Sequence, residues 1–272
     1  MSIRPWITST YLIVFTAVLI LISGCGLYNT HHDTDPVYIK EDNCLVVEVI
    51  DGDTFISDDN RHIRLIGINA PEKGSFYFNE SRIFLDLLIG GKEISLESDV
   101  EEYDQYQRTL SYIYFKDLFV NMEMVRNGFA NVYTNPPNVK YDEIFLDAER
   151  FSRENELGLW EKSEIDKIDI TIHYDAEGDD NNNLNDEYVY IENNSDKDFK
   201  IKGWSIKDAG RNEYIFKNTI LKSNGSIYLF TGKGKDSHPY FYWNNTKAVW
   251  NNDCDTLYLR DSKGLLISLY NY

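Results

Sequence analysis

Positive charge is scarce in this chain. Over 272 residues, 27 lysines and arginines stand against 45 aspartates and glutamates, a net charge of −18. Phosphate-rich partners ordinarily settle on basic faces, so this balance argues against a broad nucleic-acid-binding surface and leaves room only for a local one. Most of the charges read as a soluble, self-repelling exterior. Prolines are few, at 6, and cysteines fewer, at 3. The apolar run from Tyr11 to Ile22 falls short of the ~20 residues that a membrane-spanning helix needs. The remainder is of globular composition, rich in tyrosine and asparagine, and long enough for two domains with cores of their own.

That short apolar run follows a lone positive charge, Arg4, and ends in Leu21-Ile22-Ser23-Gly24-Cys25. Small residues before a cysteine resemble a lipoprotein signal, with cleavage ahead of Cys25 and a lipid carried on it. An ordinary cleaved signal and an uncleaved anchor are the alternatives. Residues 1–24 are therefore read as a signal peptide and 25–43 as a tether, since the latter show no apolar period. With Cys25 lipidated, Cys44 and Cys254 remain; outside the cell they could pair, which sequence does not settle.

Residues 44–50 are a β-branched run that reads as a buried strand. Asp51-Gly52-Asp53 makes a turn, 54–57 a return strand, and Asp58-Asp59-Asn60 a hairpin turn. Residues 61–66 form a third strand in which Arg64 faces away from Ile63 and Leu65. Asn79 caps a helix with the stripe Ile83, Phe84, Leu87 and Leu88, stopped by Gly90 and Gly91. Strands follow at 93–97 and 110–115, separated by an acidic loop at 101–106. Asn121 caps a short helix ended by Gly128. A longer helix begins at Asp142 with Ile144, Phe145, Ala148 and Phe151 on one face, and Trp160 follows as a plug. Beyond residue 168 no segment carries a helical stripe. Strands at 169–174, 187–193, 200–207, 213–216, 226–231, 256–260 and 265–270, with Asn, Asp and Gly turns, read as a β-sandwich. The acidic loop 175–185 is not an EF-hand, because Asp180 occupies the place of the sharp-turn glycine.

The stretch from Val49 to Glu72 holds charges that packing alone does not require: an acidic turn, a strand arginine, and a glutamate just after Pro71. In order, Val49-Ile50-Asp51-Gly52-Asp53-Thr54, Arg64-Leu65-Ile66-Gly67-Ile68 with Pro71-Glu72, Asp104-Gln105-Tyr106-Gln107-Arg108 with Tyr112-Ile113-Tyr114, Val120-Asn121 with Val125-Arg126-Asn127-Gly128, and Leu157-Gly158-Leu159-Trp160 resemble a staphylococcal-nuclease (thermonuclease) domain. The resemblance covers residues 44–162 and implies an OB-fold, a five-stranded barrel with three helices. It implies a Ca²⁺-dependent phosphodiesterase acting on DNA and RNA. Asp53 would be a calcium ligand, Arg64 and Arg108 the phosphate-binding arginines, and Glu72 the base that activates water. Bidentate guanidinium groups match the charge spread over a phosphoryl group. Asn69 and Ala70 stand where the family usually places an aspartate and a threonine in the calcium site. Asn69 offers a neutral carbonyl oxygen and Ala70 only its backbone carbonyl, so the expected site is weak. Within residues 41–162, 12 basic residues face 25 acidic ones, so any basic groove is confined. Tyr106 and Tyr133 either stack on substrate bases or simply pack.

Residues 168–272 resemble a lamin-tail domain, an immunoglobulin-like sandwich. The motifs are Asn185-Asp186-Glu187-Tyr188-Val189-Tyr190-Ile191 with Asn193, Gly203-Trp204 with Lys207-Asp208, Tyr228 with Thr231-Gly232, and Ala248-Val249-Trp250-Asn251-Asn252-Asp253 with Asp255-Thr256. Cys254 takes a usual glycine position, Trp204 and Trp250 read as core, and no catalytic cluster is evident. The fold class is thus α+β followed by β. The function that fits is a nuclease lipid-anchored at the outer face of a cell membrane, with an unidentified ligand for the sandwich and no indication of oligomeric state. A surface-displayed adhesin with a degenerate, non-cutting barrel is the rival. In a third reading, the sandwich itself binds nucleic acid and delivers it.

Overall fold

The computed structural model describes residues 42–272 except Arg211. The proposed signal peptide, Cys25 and nearly all of the proposed tether lie outside the described residues. The first strand begins at Asp42, two residues inside the span read as tether. Strands β1 (Asp42–Val49), β2 (Thr54–Ser57), β3 (His62–Leu65), β4 (Glu93–Glu97) and β5 (Thr109–Phe115) lie in the order β3–β2–β1–β4–β5. All of these neighbours are antiparallel. The sheet then closes on itself through a parallel pairing of β3 with β5, Ile63 opposite Thr109 and Arg64 opposite Leu110. A register slip between Val46 and Glu48 bends β1 into this closure. The five strands make the closed OB-type barrel that the resemblance implied. Period-two alternation sends Phe55, Ile63, Leu65, Ile94, Leu96 and Ile113 inward, where all are buried. Each such side chain contributes about 1.5–3 kcal/mol by leaving water.

Three helices pack on the barrel: α1 (Phe78–Ile89), α2 (Val120–Arg126) and α3 (Asp142–Glu154). The extents of α1 and α2 follow the expected ones, whereas α3, read as running to Gly158, stops at Glu154, and the faces and caps need correction. Asn79 lies inside α1 and is not its cap; Tyr77, with φ of 68°, precedes the helix. The buried face is Ser81, Phe84, Leu85 and Ile89, and Leu87 is exposed. The rotation has a local cause. A side chain at Gly52 would lie 1.8 Å from Ser81 Oγ, so the Asp-Gly-Asp turn rests directly on Ser81 and pulls that side of the helix inward. Asn121 is likewise inside α2. Fully buried, it accepts from Ile113 N at 2.9 Å and donates to Ile66 O at 2.8 Å, tying β5 to the chain after β3. In α3 the buried residues are Phe145, Ala148 and Ser152. Phe151 is turned outward, under the Arg126 guanidinium at 4.2 Å, and Ile144 is also exposed.

Gly67, just after β3, has φ of +79°, and a side chain there would come within 2.3 Å of the Phe145 ring. Both the backbone sign and the contact demand glycine. Gly67→Ala should therefore destabilise the fold by about 2 kcal/mol or more, read as a lower urea midpoint at unchanged slope. An unaltered midpoint would show that the turn relaxes without cost.

The second half is a sandwich. One sheet has the order β11–β10–β7–β6, from Tyr240–Tyr242, Ser226–Phe230, Tyr188–Asn193 and Ile168–His173. The other has the order β9–β8–β12–β13, from Glu213–Ile215, Ser205–Lys207, Thr256–Arg260 and Leu266–Asn271. Val189, Ile191, Ile206, Leu257 and Leu259 fill the space between, with Trp204 and Trp250 in the same core. The strand read over 200–207 is in fact two, Phe199–Lys200 and Ser205–Lys207, broken at Gly203 with φ of +82°. Tyr240–Tyr242 and Ile220–Leu221 were not foreseen; both are too short to carry an alternation of their own. Cys44 is buried in β1 and Cys254 is exposed, and both are free, so the suggested pairing does not occur.

The two halves share a packed seam. Trp160, expected as a plug, is buried against Tyr258 and Leu266 of the sandwich. Arg260 Nη1 donates to Leu159 O at 2.7 Å, and Leu266 N to Glu161 O at 2.8 Å. This seam sets two sandwich loops beside the barrel mouth.

Candidate active site

The parallel closure of the barrel is what gathers the site. Because Ile63 pairs with Thr109 and Arg64 with Leu110, Arg64 on β3 and Arg108, two residues before Leu110, lie diagonally across the closure. Both line one cleft of about 840 Å³, together with Asn69, Tyr103, Tyr106 and Tyr133. The three tyrosines are exposed, so the two singled out from sequence are not core residues.

Arg64 and Asp53 are locked together. Thr54 pairs with Arg64 across β2 and β3, which brings Asp53 Oδ1 to 3.1 Å from Arg64 Nε. By alternation Arg64 faces opposite to Ile63 and Leu65. It is itself buried, because the chain from Leu65 to Asn69 covers it: Nη1 donates to Leu65 O and Nη2 to Ile68 O, both at 2.7 Å, and Asn69 Oδ1 lies 3.4 Å from Nη2. Asp53 also accepts from Thr54 Oγ1 at 2.9 Å and from Ala70 N at 2.7 Å. Removing either partner of such a buried pair costs about 3–5 kcal/mol, because the other charge is left without compensation.

Arg108 is held differently. Its Nε donates to Asp104 Oδ2 at 2.7 Å, and its backbone N to Asp104 Oδ1 at 2.9 Å. Burial acts to raise the Asp104 carboxyl, but these bonds and the guanidinium charge prevail and hold it below the usual range. Among the described residues the Arg108 guanidinium is hydrogen-bonded through Nε alone and lies over the Tyr106 ring, 5.6 Å from its centre, so both Nη groups remain for a ligand in the cleft. Sequence reasoning had placed Asp104 in a motif without giving it this orienting part.

Glu72 lies on the exposed turn after Pro71, beyond the residues that line the cleft. Ala70 and Pro71 border a smaller cavity with Lys207, Glu213, Tyr258 and Arg260 of the sandwich. Burial holds the Lys207 ammonium below the usual lysine range, against the pull of Asp208, Glu213 and Glu72. Lys207 is thus close enough to Glu72 to feel its charge, a relation that only the packed seam creates.

Among the described residues no three His, Cys, Asp or Glu side chains converge as a metal cage. The donors present are nevertheless all oxygens. Asp51, which sequence reading left as part of a turn, is pushed up to about 6 by burial and by the adjacent Asp53 charge. Two crowded, desolvated carboxylates beside the Asn69 amide and the Ala70 carbonyl are a donor set of the type that a hard cation takes. The residues fit such an ion in kind, with fewer charges than a tight site has.

Comparison with known proteins identifies relatives of both halves. Residues 62–162 match the family model described as staphylococcal nuclease homologue, and residues 162–272 the lamin tail domain model. A thermonuclease of Staphylococcus intermedius is 31% identical over 169 residues, which is 57% of this chain and 98% of that protein. An uncharacterized endonuclease of Haemophilus influenzae is 34% identical over 125 residues, 44% of this chain and 67% of that protein. A thermonuclease of Staphylococcus hyicus is 27% identical over 173 residues, 57% of this chain and 97% of that protein.

Proposed function

Since this chain belongs to the staphylococcal nuclease family and is a nuclease, we propose that it hydrolyses phosphodiesters of DNA or RNA at the barrel mouth, with Arg108, Arg64 and Glu72 as its working groups and calcium as its cofactor. The observation that carries the assignment is the β3–β5 pairing, which sets both arginines in one cleft. Arg108, oriented by Asp104, presents its Nη groups to the phosphoryl oxygens. Arg64 adds a fixed positive charge from the cleft floor, already oriented before substrate arrives. Glu72 removes a proton from the water that attacks phosphorus, and the ester oxygen leaves on the opposite side. Asp53, Asp51, Asn69 and the Ala70 carbonyl would hold the cation, whose charge offsets the negative charge that develops on the phosphoryl group.

With two full charges and neutral oxygens otherwise, the site should need about 10⁻⁴–10⁻³ M calcium for half-maximal rate, a level at which extracellular modules work. A titration after EDTA treatment measures this; hydrolysis that persists in EDTA would remove calcium from the mechanism. The same reasoning extends to location: a lipid on Cys25 would hold the enzyme at the outer face of a membrane. A second reading, a displayed binding protein that no longer cuts, draws on one observation, that Asp53 and Arg64 are engaged with each other. It is selected if nucleic acid binds but stays intact at millimolar calcium.

A further inference from the structure

The cleft has two walls, and only one belongs to the barrel. Facing Arg64, Arg108 and the tyrosines are residues 208–210, Asn212, 248–249 and Asn251, all from loops of the sandwich. We propose that these loops are the second wall of the substrate site and fit it to a single unpaired polynucleotide strand. The proposal rests on the reading of the cleft as the nuclease site and adds its substrate class and the residues that select it.

The wall is built without a ligand. Asp255, buried, accepts from Ala209 N at 3.1 Å and Asn251 N at 3.2 Å, so one carboxylate ties both loops together. Glu187, fully buried, accepts from Trp250 N at 2.8 Å and Val249 N at 3.2 Å. Asp208, also buried, accepts from Asn212 N at 2.9 Å and Nδ2 at 2.6 Å. Lys207 Nζ donates to Gly210 O at 2.5 Å. Three carboxylates that would repel phosphate are thus turned onto the chain's own N–H groups. Among the described residues, what remains toward the cleft from Ala209, Gly210, Asn212, Ala248 and Asn251 is small or neutral. On the barrel side, Asp104 is neutralised by Arg108, which leaves Glu101 as the cleft's exposed acid. A chain of net charge −18 obtains a phosphate-tolerant channel in this way.

Dimensions and chemistry then select the strand. A volume of 840 Å³ lies in the range of about 300–1,000 Å³ typical of pockets for small ligands, enough for a nucleotide or so. The stacked bases of a duplex have no face free for Tyr103, Tyr106 or Tyr133. An unpaired strand offers both an accessible backbone and open base faces, and each stacked base contributes about 1–3 kcal/mol.

The test is fluorescence anisotropy with labelled oligonucleotides of about a dozen residues, single-stranded and duplex, on the full chain carrying Glu72→Gln so that nothing is cut. The single strand should bind about tenfold tighter than the duplex or better. Adding Ala248→Trp, which narrows the cleft, or Asn251→Glu, which charges an exposed position of the wall, should weaken single-strand binding about tenfold and leave duplex binding little changed. Melting curves establish that each variant is folded, and if Ala248→Trp is not, Asn251→Glu decides alone. Equal affinity for duplex and single strand, or single-strand binding unchanged by a folded wall variant, overturns the proposal. Failure of the nuclease reading would look different: the unmutated chain would leave the single strand intact while the binding preference persisted.

Discussion

Arg108→Ala is expected to lower kcat/KM on a polynucleotide by about 10³-fold or more, with the melting temperature nearly unchanged. The size follows from removal of a preorganised donor to a phosphoryl transition state, an effect of about 10²–10³ for one neutral donor and 10³–10⁵ for an arginine on a transferring phosphoryl group. The small effect on stability follows from the setting. Arg108 is a half-buried loop residue whose guanidinium is tied through Nε to the carboxylate that already caps its own backbone N. Its loss leaves Asp104 partly solvated and still bonded by backbone N–H groups from Tyr106 and Arg108. Arg108→Lys should recover little, since a point charge cannot present two parallel donors. Steady-state kinetics at saturating calcium decides the matter, and a variant that keeps a tenth of the wild-type rate rules out this assignment. Arg64 makes an instructive contrast. Alanine there would also strand the buried Asp53 charge, so lost activity would be mixed with lost fold.

Glu72→Gln is expected to lower kcat by about 10²–10⁴-fold while KM changes little. Glutamine keeps the shape and the hydrogen-bonding reach of the side chain and removes its charge and its ability to take a proton. The position is exposed, on the turn after Pro71, so packing is not at stake. A rate within a few-fold of wild type would place the base elsewhere. A fall that appears wholly in KM would make Glu72 a binding group.

The barrel strands were legible in the sequence because each is a local pattern. β2 and β4 agree with their apolar alternation to the residue, and β3 and β5 to within one at either end. The extents of α1 and α2 were legible for the same reason. Helix faces were not: Ser81 is drawn inward by the bare backbone of Gly52, and Phe151 is turned out under Arg126. A hydrophobic stripe records what a helix offers, whereas its neighbours decide which side is accepted. Caps failed similarly, since Asn121 serves β5 and the chain after β3 instead of its own helix end.

By itself the sequence determined most of the barrel strands and helices, the family, the acidity that limits any phosphate-binding surface, and the motif residues Asp53, Arg64, Glu72 and Arg108. These are written in periods, turns and short spacings, which act over a few residues. Only the tertiary structure decided that Arg64 and Asp53 bind each other, that Asp51 is buried beside the Asp53 charge, and that Asp104 orients Arg108. It alone decided that sandwich loops close the cleft. Those facts depend on residues far apart in the chain: the return of β5 onto β3, and the seam of Trp160, Tyr258 and Arg260 that seats one half against the other. Burial and charge at the site are set by what packs around it, and no local pattern encodes that.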